Sequence, residues 1–298
     1  MPKRVALIGH PVTHSLSDVL LQAAFDAAGV DAAYEPHDTL LMDLPDAVAG
    51  LRADDVLGAS ITVPYKERVV PMMDRLSEEA HATGAVDTVT REGSRLVGHN
   101  TDVPAFRRAF EVLVGKQKMP KAAVVLGAGG GARAAVYSLI TSGFQHVIVF
   151  NRHLHRAEAL VRHFARSASH MELRAKPWHE SVLEAELAKT KVLVNASSVG
   201  RDPEQTPIPA ELLPPELLVL DLLYVPKQTR LMREAAAAGA LDVQNGDLML
   251  VTQSAAAFEL WTGQKPSTDL LFERLEAARE GEGSAGPAPA VEAAATEA

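Results

Sequence analysis

The sequence predicts two α/β domains with parallel sheets, the second of them a dinucleotide-binding domain. Two observations predict this. Strand-length apolar runs alternate with helical patterns in both halves of the 298 residues. A glycine-rich turn, Gly127-Ala128-Gly129-Gly130-Gly131-Ala132, then stands between one such strand and one such helix.

The first half opens on a buried strand over residues 4–8 and a helix over 17–28, with Gly29 as its stop. A strand over 33–37, a helix over 43–51 and a strand over 58–63, closed by Pro64, follow. A short helix is expected to start near Lys66, and another to cover 76–83. Residues 87–91 and 95–97 flank Glu92-Gly93-Ser94, a hairpin signal. A helix over 103–113 then leaves this half.

Residues 122–126 are a short Val-rich run, as a buried parallel strand would be. Gly127, Gly129 and Ala132 fill G-x-G-x-x-A. The first glycine allows the tight turn, the second lets a pyrophosphate approach the backbone, and the small third residue lets helix and strand pack. A helix over 132–142 and a strand over 146–150 complete one βαβ unit of a Rossmann-like domain, with free N–H groups at the helix start suited to phosphate. That strand ends in Asn151-Arg152, where NAD-preferring proteins carry an acid. Arg152, with Arg156 one turn on, suits a 2′-phosphate, so the reading is NADP; the alternative is two solvated surface charges. A helix over 155–167, strands over 191–195 and 218–222, a helix over 228–238 and a strand over 241–244 follow. Two last helices, 247–262 and 268–279, are expected to return to the first domain. The division expected is residues 1–102 plus 247–279, and 103–246, with 280–298 a disordered acidic tail rich in Gly, Ala, Pro and Glu.

Net charge is −9 and pI near 5.7, which argues against a nucleic-acid partner. The absence of cysteine excludes disulfides, thiolate metal sites and thiol nucleophiles. No histidine sits with carboxylates at ligand spacing, so no metal is expected. The only early apolar run is residues 5–8, and the run 217–225 is interrupted by Asp221, so neither a secretory signal nor a membrane span is expected and the location expected is cytoplasmic.

Four motifs of the first half and the last helices have no evident core role. His14-Ser15-Leu16-Ser17 offers two hydroxyls at a helix start, suited to a carboxylate or simply to an N-cap. In Thr62-Val63-Pro64-Tyr65-Lys66 the lysine stands just past a strand end, where a helix dipole would lower its pKa toward proton transfer, unless it is a surface lysine. Asp102 of Asn100-Thr101-Asp102 either caps the next helix or faces Lys66. Gln253 lies among apolar neighbours and needs a buried partner or a ligand. In the second domain, residues 195–200 and 221–226 follow strands whose carboxyl ends line the ligand crevice of such sheets.

These residues resemble the shikimate dehydrogenase family from 4 to 279. The matching segments are Gly9-His10-Pro11 with His14-Ser15-Leu16-Ser17, 58–67, 84–89, Asn100-Thr101-Asp102, 127–132, Asn151-Arg152, 195–200, 221–226 and 246–263. The resemblance implies NADP-dependent, reversible reduction of 3-dehydroshikimate to shikimate in aromatic amino-acid biosynthesis. It implies that Lys66 and Asp102 are the catalytic pair. It implies that Ser15, Ser17, Thr62, Asp87, Tyr224 and Gln253 line the substrate pocket, and that Gly127, Ala128, Gly129, Gly130, Gly131, Asn151, Arg152, Leu222 and Gly246 line the cofactor. The partner expected is a small cyclic hydroxy acid, with no nucleic acid or membrane, and the chain a monomer or homodimer. Asp18, Leu21-Gln22, Ser60, Asp87 and Arg201 depart from the family's usual Pro, His-Asn, Asn, Asn and Met. The rival readings are a quinate or aminoshikimate dehydrogenase of the same family, a non-catalytic NADP-binding regulator, and a methylene-tetrahydrofolate-type dehydrogenase.

Overall fold

The computed structural model describes residues 2–13 and 15–282, which form two six-stranded sheets. His14 and residues 283–298 lie outside the described residues; of the tail expected over 280–298, residues 280–282 instead continue the last helix.

The first half runs β1 (Lys3–Gly9), α1 (Ser17–Ala27), β2 (Ala32–Asp38), α2 (Leu44–Gly50), β3 (Val56–Ile61), β4 (Arg75–Leu76), α3 (Glu78–Thr83), β5 (Thr88–Glu92) and β6 (Arg95–His99). Its strand order is β2-β1-β3-β5-β6-β4. The sheet is mixed rather than parallel, because the β5–β6 hairpin sets β5 antiparallel to both β3 and β6. The helix expected near Lys66 is absent: residues 63–69 form turns and only Val70–Met72 makes a short 3₁₀ turn. Pro64 and Pro71 bracket that segment, and neither has an N–H to give to a helix ladder. Ser77 caps α3 by accepting from the Ala80 N–H at 3.2 Å, and Gly84 ends it at φ 61°, so the helix is shorter than its apolar pattern.

Helix α4 (Asp102–Val114) leads to β7 (Ala122–Leu126), α5 (Gly130–Thr141), β8 (His146–Phe150), α6 (Leu154–Phe164), β9 (Glu172–Lys176), α7 (Glu180–Leu187), β10 (Val192–Asn195), β11 (Leu218–Asp221), α8 (Arg230–Ala237) and β12 (Asp242–Gln244). Strand β9 and helix α7 were not expected from the sequence. β9 reads Glu-Leu-Arg-Ala-Lys, an edge strand whose charges conceal its period. The order is β12-β11-β10-β7-β8-β9, all parallel. From β7 the chain winds outward through β8 and β9, then crosses back to β10. The β7–β10 boundary is therefore the point where a crevice opens at the carboxyl ends. One face of this sheet packs on α4, α5 and α6 through Phe106, Phe110, Leu139, Phe144 and Phe164; the other packs on α7 and α8 through Leu183, Leu187, Leu231 and Ala235.

The last helices, α9 (Asp247–Thr262) and α10 (Thr268–Glu282), return to the first sheet. Phe258 and Trp261 of α9 and Leu271 and Leu275 of α10 share a core with Leu20, Leu21 and Phe25 of α1. Trp261 Nε1 donates to the Val89 carbonyl at 2.9 Å. A Cβ on Gly58 would lie 1.9 Å from that same oxygen and 2.6 Å from the indole nitrogen, so a bare glycine is what lets α9 reach the sheet. No helix of the described residues is long and apolar enough to cross a membrane.

Candidate active site

The carboxyl ends of the two sheets meet, and two carboxylates and a lysine are buried where they do. After β3 the chain turns through Thr62 and Tyr65 to Lys66. The Thr62 N–H donates to the Ile8 carbonyl at 2.9 Å, and the buried Tyr65 hydroxyl donates to the Thr39 carbonyl at 2.6 Å. These bonds fix the turn without a helix. Lys66 Nζ donates to Asp102 Oδ2 at 2.5 Å, and the two side chains are only 15% and 4% exposed. The Lys66 stem lies against the glycine-rich turn of the other half: a Cβ on Gly130 would be 2.7 Å from Lys66 Cδ.

Asp102 is the first residue of α4, and Asp87 holds it there. Asp87 Oδ1 accepts from the Thr88 hydroxyl (2.8 Å), the Thr101 N–H (2.8 Å) and the Thr101 hydroxyl (2.6 Å), while Oδ2 accepts from the Asp102 N–H (2.9 Å). An ionised carboxylate has about four acceptor positions, two on each oxygen; three donors crowd Oδ1, and Oδ2 takes one. The Asp87 carboxylate thus orders the Thr101-Asp102 turn. Asn100 Oδ1 accepts from the Val103 N–H at 3.0 Å and completes the start of α4.

The lysine also differs from expectation. With no helix at its position there is no dipole to lower its pKa. Burial by itself would lower it, but the charges of Asp102 and Asp87 and the hydrogen bond to Asp102 outweigh burial, and the Lys66 pKa is raised. Burial raises the Asp102 pKa and Asp87 adds to the rise, against the pull of Lys66. The site therefore holds its proton on the lysine.

Around this pair stand the other first-half candidates. Ser17 is buried, and its N–H donates to Ser15 Oγ at 3.2 Å, so the serine loop is ordered from within and Ser17 makes no side-chain cap. Tyr224, after β11, has its hydroxyl pKa raised by burial, with Arg201, Ser15 and Lys66 pulling the other way, which sets it among those groups. Gln253 of α9 is half-buried and has no side-chain hydrogen bond among the described residues. The departure Asp18 bears on the buried hydroxyl of Tyr34, which has no hydrogen-bond partner among the described residues: burial raises its pKa and the Asp18 charge adds to the rise.

The second-half candidates stand just after the carboxyl ends of β7, β8, β11 and β12. Gly127 has φ 108°, and a Cβ there would sit 2.7 Å from the Ala196 carbonyl, so the turn can take no other residue without moving. Gly129 is extended and a Cβ there would meet nothing within 4 Å, leaving open space beside Ala128 and the first N–H groups of α5. Gly131 faces Leu222, and Gly246 packs under the Leu222 carbonyl with its N–H on Leu223 O at 2.8 Å. Asn151 Nδ2 donates to the His153 carbonyl at 2.9 Å and shapes the turn that carries Arg152, which is exposed and has no ion pair among the described residues. Open backbone donors, unoccluded glycines and a free arginine at the end of β8 fit a phosphorylated dinucleotide.

Arg133 was not singled out from the sequence. It is a buried charge in Gly-Gly-Ala-Arg-Ala-Ala-Val, and a lone cation among small residues on a helix is the signal that marks it.

Asp221, fully buried at the end of β11, braces the crevice by accepting from the Thr229 hydroxyl (2.7 Å), Asn195 Nδ2 (3.0 Å) and the Leu223 N–H (3.1 Å). Burial outweighs these donors and lifts its pKa from 3.8 to about 6. An acid with a raised folded-state pKa helps the fold at low pH and loses that benefit as pH climbs through its folded value. The gap of about two pH units corresponds to roughly 3 kcal/mol. Measured by urea unfolding, the stability of wild type relative to Asp221→Asn should therefore fall by about that amount between pH 4 and 7. A flat or rising difference would contradict this account of Asp221.

Three family models match the chain. Residues 7–89 match the shikimate dehydrogenase substrate binding domain, 112–200 match shikimate / quinate 5-dehydrogenase, and 249–271 match the shikimate 5′-dehydrogenase C-terminal domain. Among relatives, the shikimate dehydrogenase (NADP(+)) of Salinibacter ruber is 40% identical over 92% of this chain and 96% of its own length. That of Thermus thermophilus is 42% identical over 88% and 94%. Among solved structures, shikimate 5-dehydrogenase of Thermus thermophilus in complex with NADP(H) and shikimate superposes with a TM-score of 0.80 at 40% identity, covering 93% of this chain and 99% of that one. Quinate dehydrogenase of Corynebacterium glutamicum in complex with NAD superposes with a TM-score of 0.81 at 29% identity, with coverage of 93% and 99%.

Proposed function

The chain belongs to the shikimate dehydrogenase family, and from that premise we propose how its own residues carry the NADP-dependent, reversible reduction of 3-dehydroshikimate to shikimate. One observation carries the reading. A buried lysine–carboxylate pair from the first half, Lys66 and Asp102, lies directly against the glycine-rich turn of the second half.

When bound, the cofactor would supply the redox chemistry: its reduced form, NADPH, is the hydride source for the ring ketone, and its oxidised form, NADP+, is the acceptor for the alcohol's hydride. Residues 103–246 would hold it. The backbone of Gly127, Ala128, Gly129, Gly130 and Gly131 would take its pyrophosphate, Asn151, Arg152 and Arg156 its 2′-phosphate, and Leu222 and Gly246 would line the rest of it. Residues 1–102 with 247–279 hold the substrate. Ser15 and Ser17 offer hydroxyls to its carboxylate, and Thr62, Tyr224 and Gln253 orient the ring. Lys66 is the general acid in reduction: its ammonium gives a proton to the carbonyl oxygen as negative charge develops there. In oxidation the neutral amine takes that proton from the alcohol. Asp102 keeps the amine aimed and stabilises its charged form, and Asp87 holds Asp102. Three of the four donors to Asp87 fall on Oδ1, and together they order the turn that carries Asp102.

The direct test is NADPH formation with shikimate, quinate and aminoshikimate in parallel, wild type against Lys66→Ala. Wild type should oxidise shikimate most efficiently. The variant should lose about 10²–10⁴-fold in kcat with KM for shikimate changed only a few-fold, since the proton is moved in the transition state. A variant that keeps near-wild-type kcat would remove Lys66 from the mechanism.

Cofactor choice supplies a second test. Arg152→Asp removes a charge-assisted bond and sets like charge against the phosphate. The ratio of kcat/KM for NADP over NAD should fall by at least about tenfold, one charge-assisted bond. An unchanged ratio would mean that the 2′-phosphate is held elsewhere.

A further inference from the structure

A charged cluster beside the site is not used by the chemistry above. Glu67 follows Lys66 and turns toward the other half. Its Oε2 lies 2.8 Å from Arg133 Nη2 on α5, and its Oε1 lies 3.9 Å from Arg156 Nη2 on α6. Arg133 is only 9% exposed, and its Nη1 donates to the Thr83 carbonyl at 2.9 Å. Alongside, His163 Nε2 meets the Ala82 carbonyl at 2.9 Å, and its ring fills the space that a Cβ on Gly84 would need. The segment bearing Lys66 and the end of α3 are thus fastened to the two helices that follow the first two strands of the cofactor half.

Glu67 is the only carboxylate paired with Arg133 among the described residues. A buried guanidinium without a counter-charge is strongly unfavourable, so this bond fixes where Glu67 sits. Lys66 is its chain neighbour, and the Lys66 stem rests on Gly130, three residues before Arg133 on the same helix. The lysine is therefore held from two sides by α5. Arg156 at the same time belongs to the cluster assigned to the 2′-phosphate, so Glu67 and that phosphate are two anions drawing on one arginine.

We propose that Glu67 is a positioning residue that ties Lys66 to the cofactor's 2′-phosphate anchor through Arg133 and Arg156. The proposal rests on the reading of Arg152 and Arg156 as that anchor. It makes two predictions of opposite sign for Glu67→Gln. Loss of the competing anion frees Arg156, so a 2′-phosphate binds more tightly. Loss of the tether to Arg133 lets Lys66 leave its place, so turnover falls. A role in stability alone would weaken both.

The test uses the full chain and two probes, adenosine 2′,5′-bisphosphate and adenosine 5′-monophosphate, titrated by calorimetry. Glu67→Gln should bind the bisphosphate about two- to fivefold more tightly than wild type, the range expected for one partly exposed ion pair. Affinity for the monophosphate should stay within about twofold, below the range expected for a lost ion pair. Its kcat for shikimate oxidation should fall about tenfold or more, as displacement of a catalytic group does, with KM for shikimate nearly unchanged. Hydrogen exchange on wild type needs no variant: amides of residues 65–72 should change their exchange with the bisphosphate and not with the monophosphate. Turnover of Glu67→Gln within about twofold of wild type, short of the misplacement effect, weaker bisphosphate binding, or an exchange pattern blind to the 2′-phosphate overturns the proposal alone. Equal affinity of the two probes for wild type overturns the anchor reading, and the proposal with it.

Discussion

The buried ion pair between Lys66 and Asp102 is the constraint on which the rest of the site depends. Taking both charges out of water costs several kcal/mol per ion, and only close geometry with further hydrogen bonds offsets it. The fold supplies that geometry from both sides. Asp87 gathers four donors and so sets Asp102 at the head of α4. Gly130 makes room for the Lys66 stem, and Glu67 is anchored to Arg133. The site exists only where the carboxyl ends of two sheets meet, which explains why α9 and α10 return to the first sheet and close the chain on itself.

Electrostatics gives the pair its direction. Two carboxylates face one ammonium, and their combined pull overcomes the burial that would otherwise discharge the lysine. A lysine with a raised pKa is a ready proton donor at neutral pH and a reluctant base. Reduction is therefore the direction for which Lys66 is already in the required state, whereas oxidation requires its deprotonation. Asp87, an aspartate where the family usually has asparagine, adds to this bias.

Much of this was legible in the residues. The Val-rich run before Gly127, the glycine spacing and Ala132 marked the βαβ unit, and strands β7 and β8 lie on the residues expected. Those signals are local, and local signals survive in sequence. Motif order suggests Lys66 and Asp102 as partners, 36 residues apart, and their 2.5 Å contact depends on the packing of β3 against the β5–β6 hairpin. The surroundings of Lys66 differ from what the sequence suggests because a lysine after a strand looks like a helix start, whereas prolines on both sides keep the segment in turns. The four donors gathered around Asp87 and the Glu67–Arg133 bond could not be read at all. Each joins groups that only the tertiary fold brings together, and a carboxylate in sequence does not reveal how many donors surround it.

The central claim is that the Asp102 charge governs the protonation of Lys66. The most direct measurement is the pH profile of kcat/KM for shikimate oxidation in wild type and Asp102→Asn. Oxidation needs the neutral amine, so activity rises as pH approaches the Lys66 pKa. Removing the neighbouring charge should lower that pKa and move the acidic limb down by about one pH unit or more, with a reduced plateau. A limb that stays in place, or moves to higher pH, would contradict the assignment of Lys66 and Asp102 as a coupled pair.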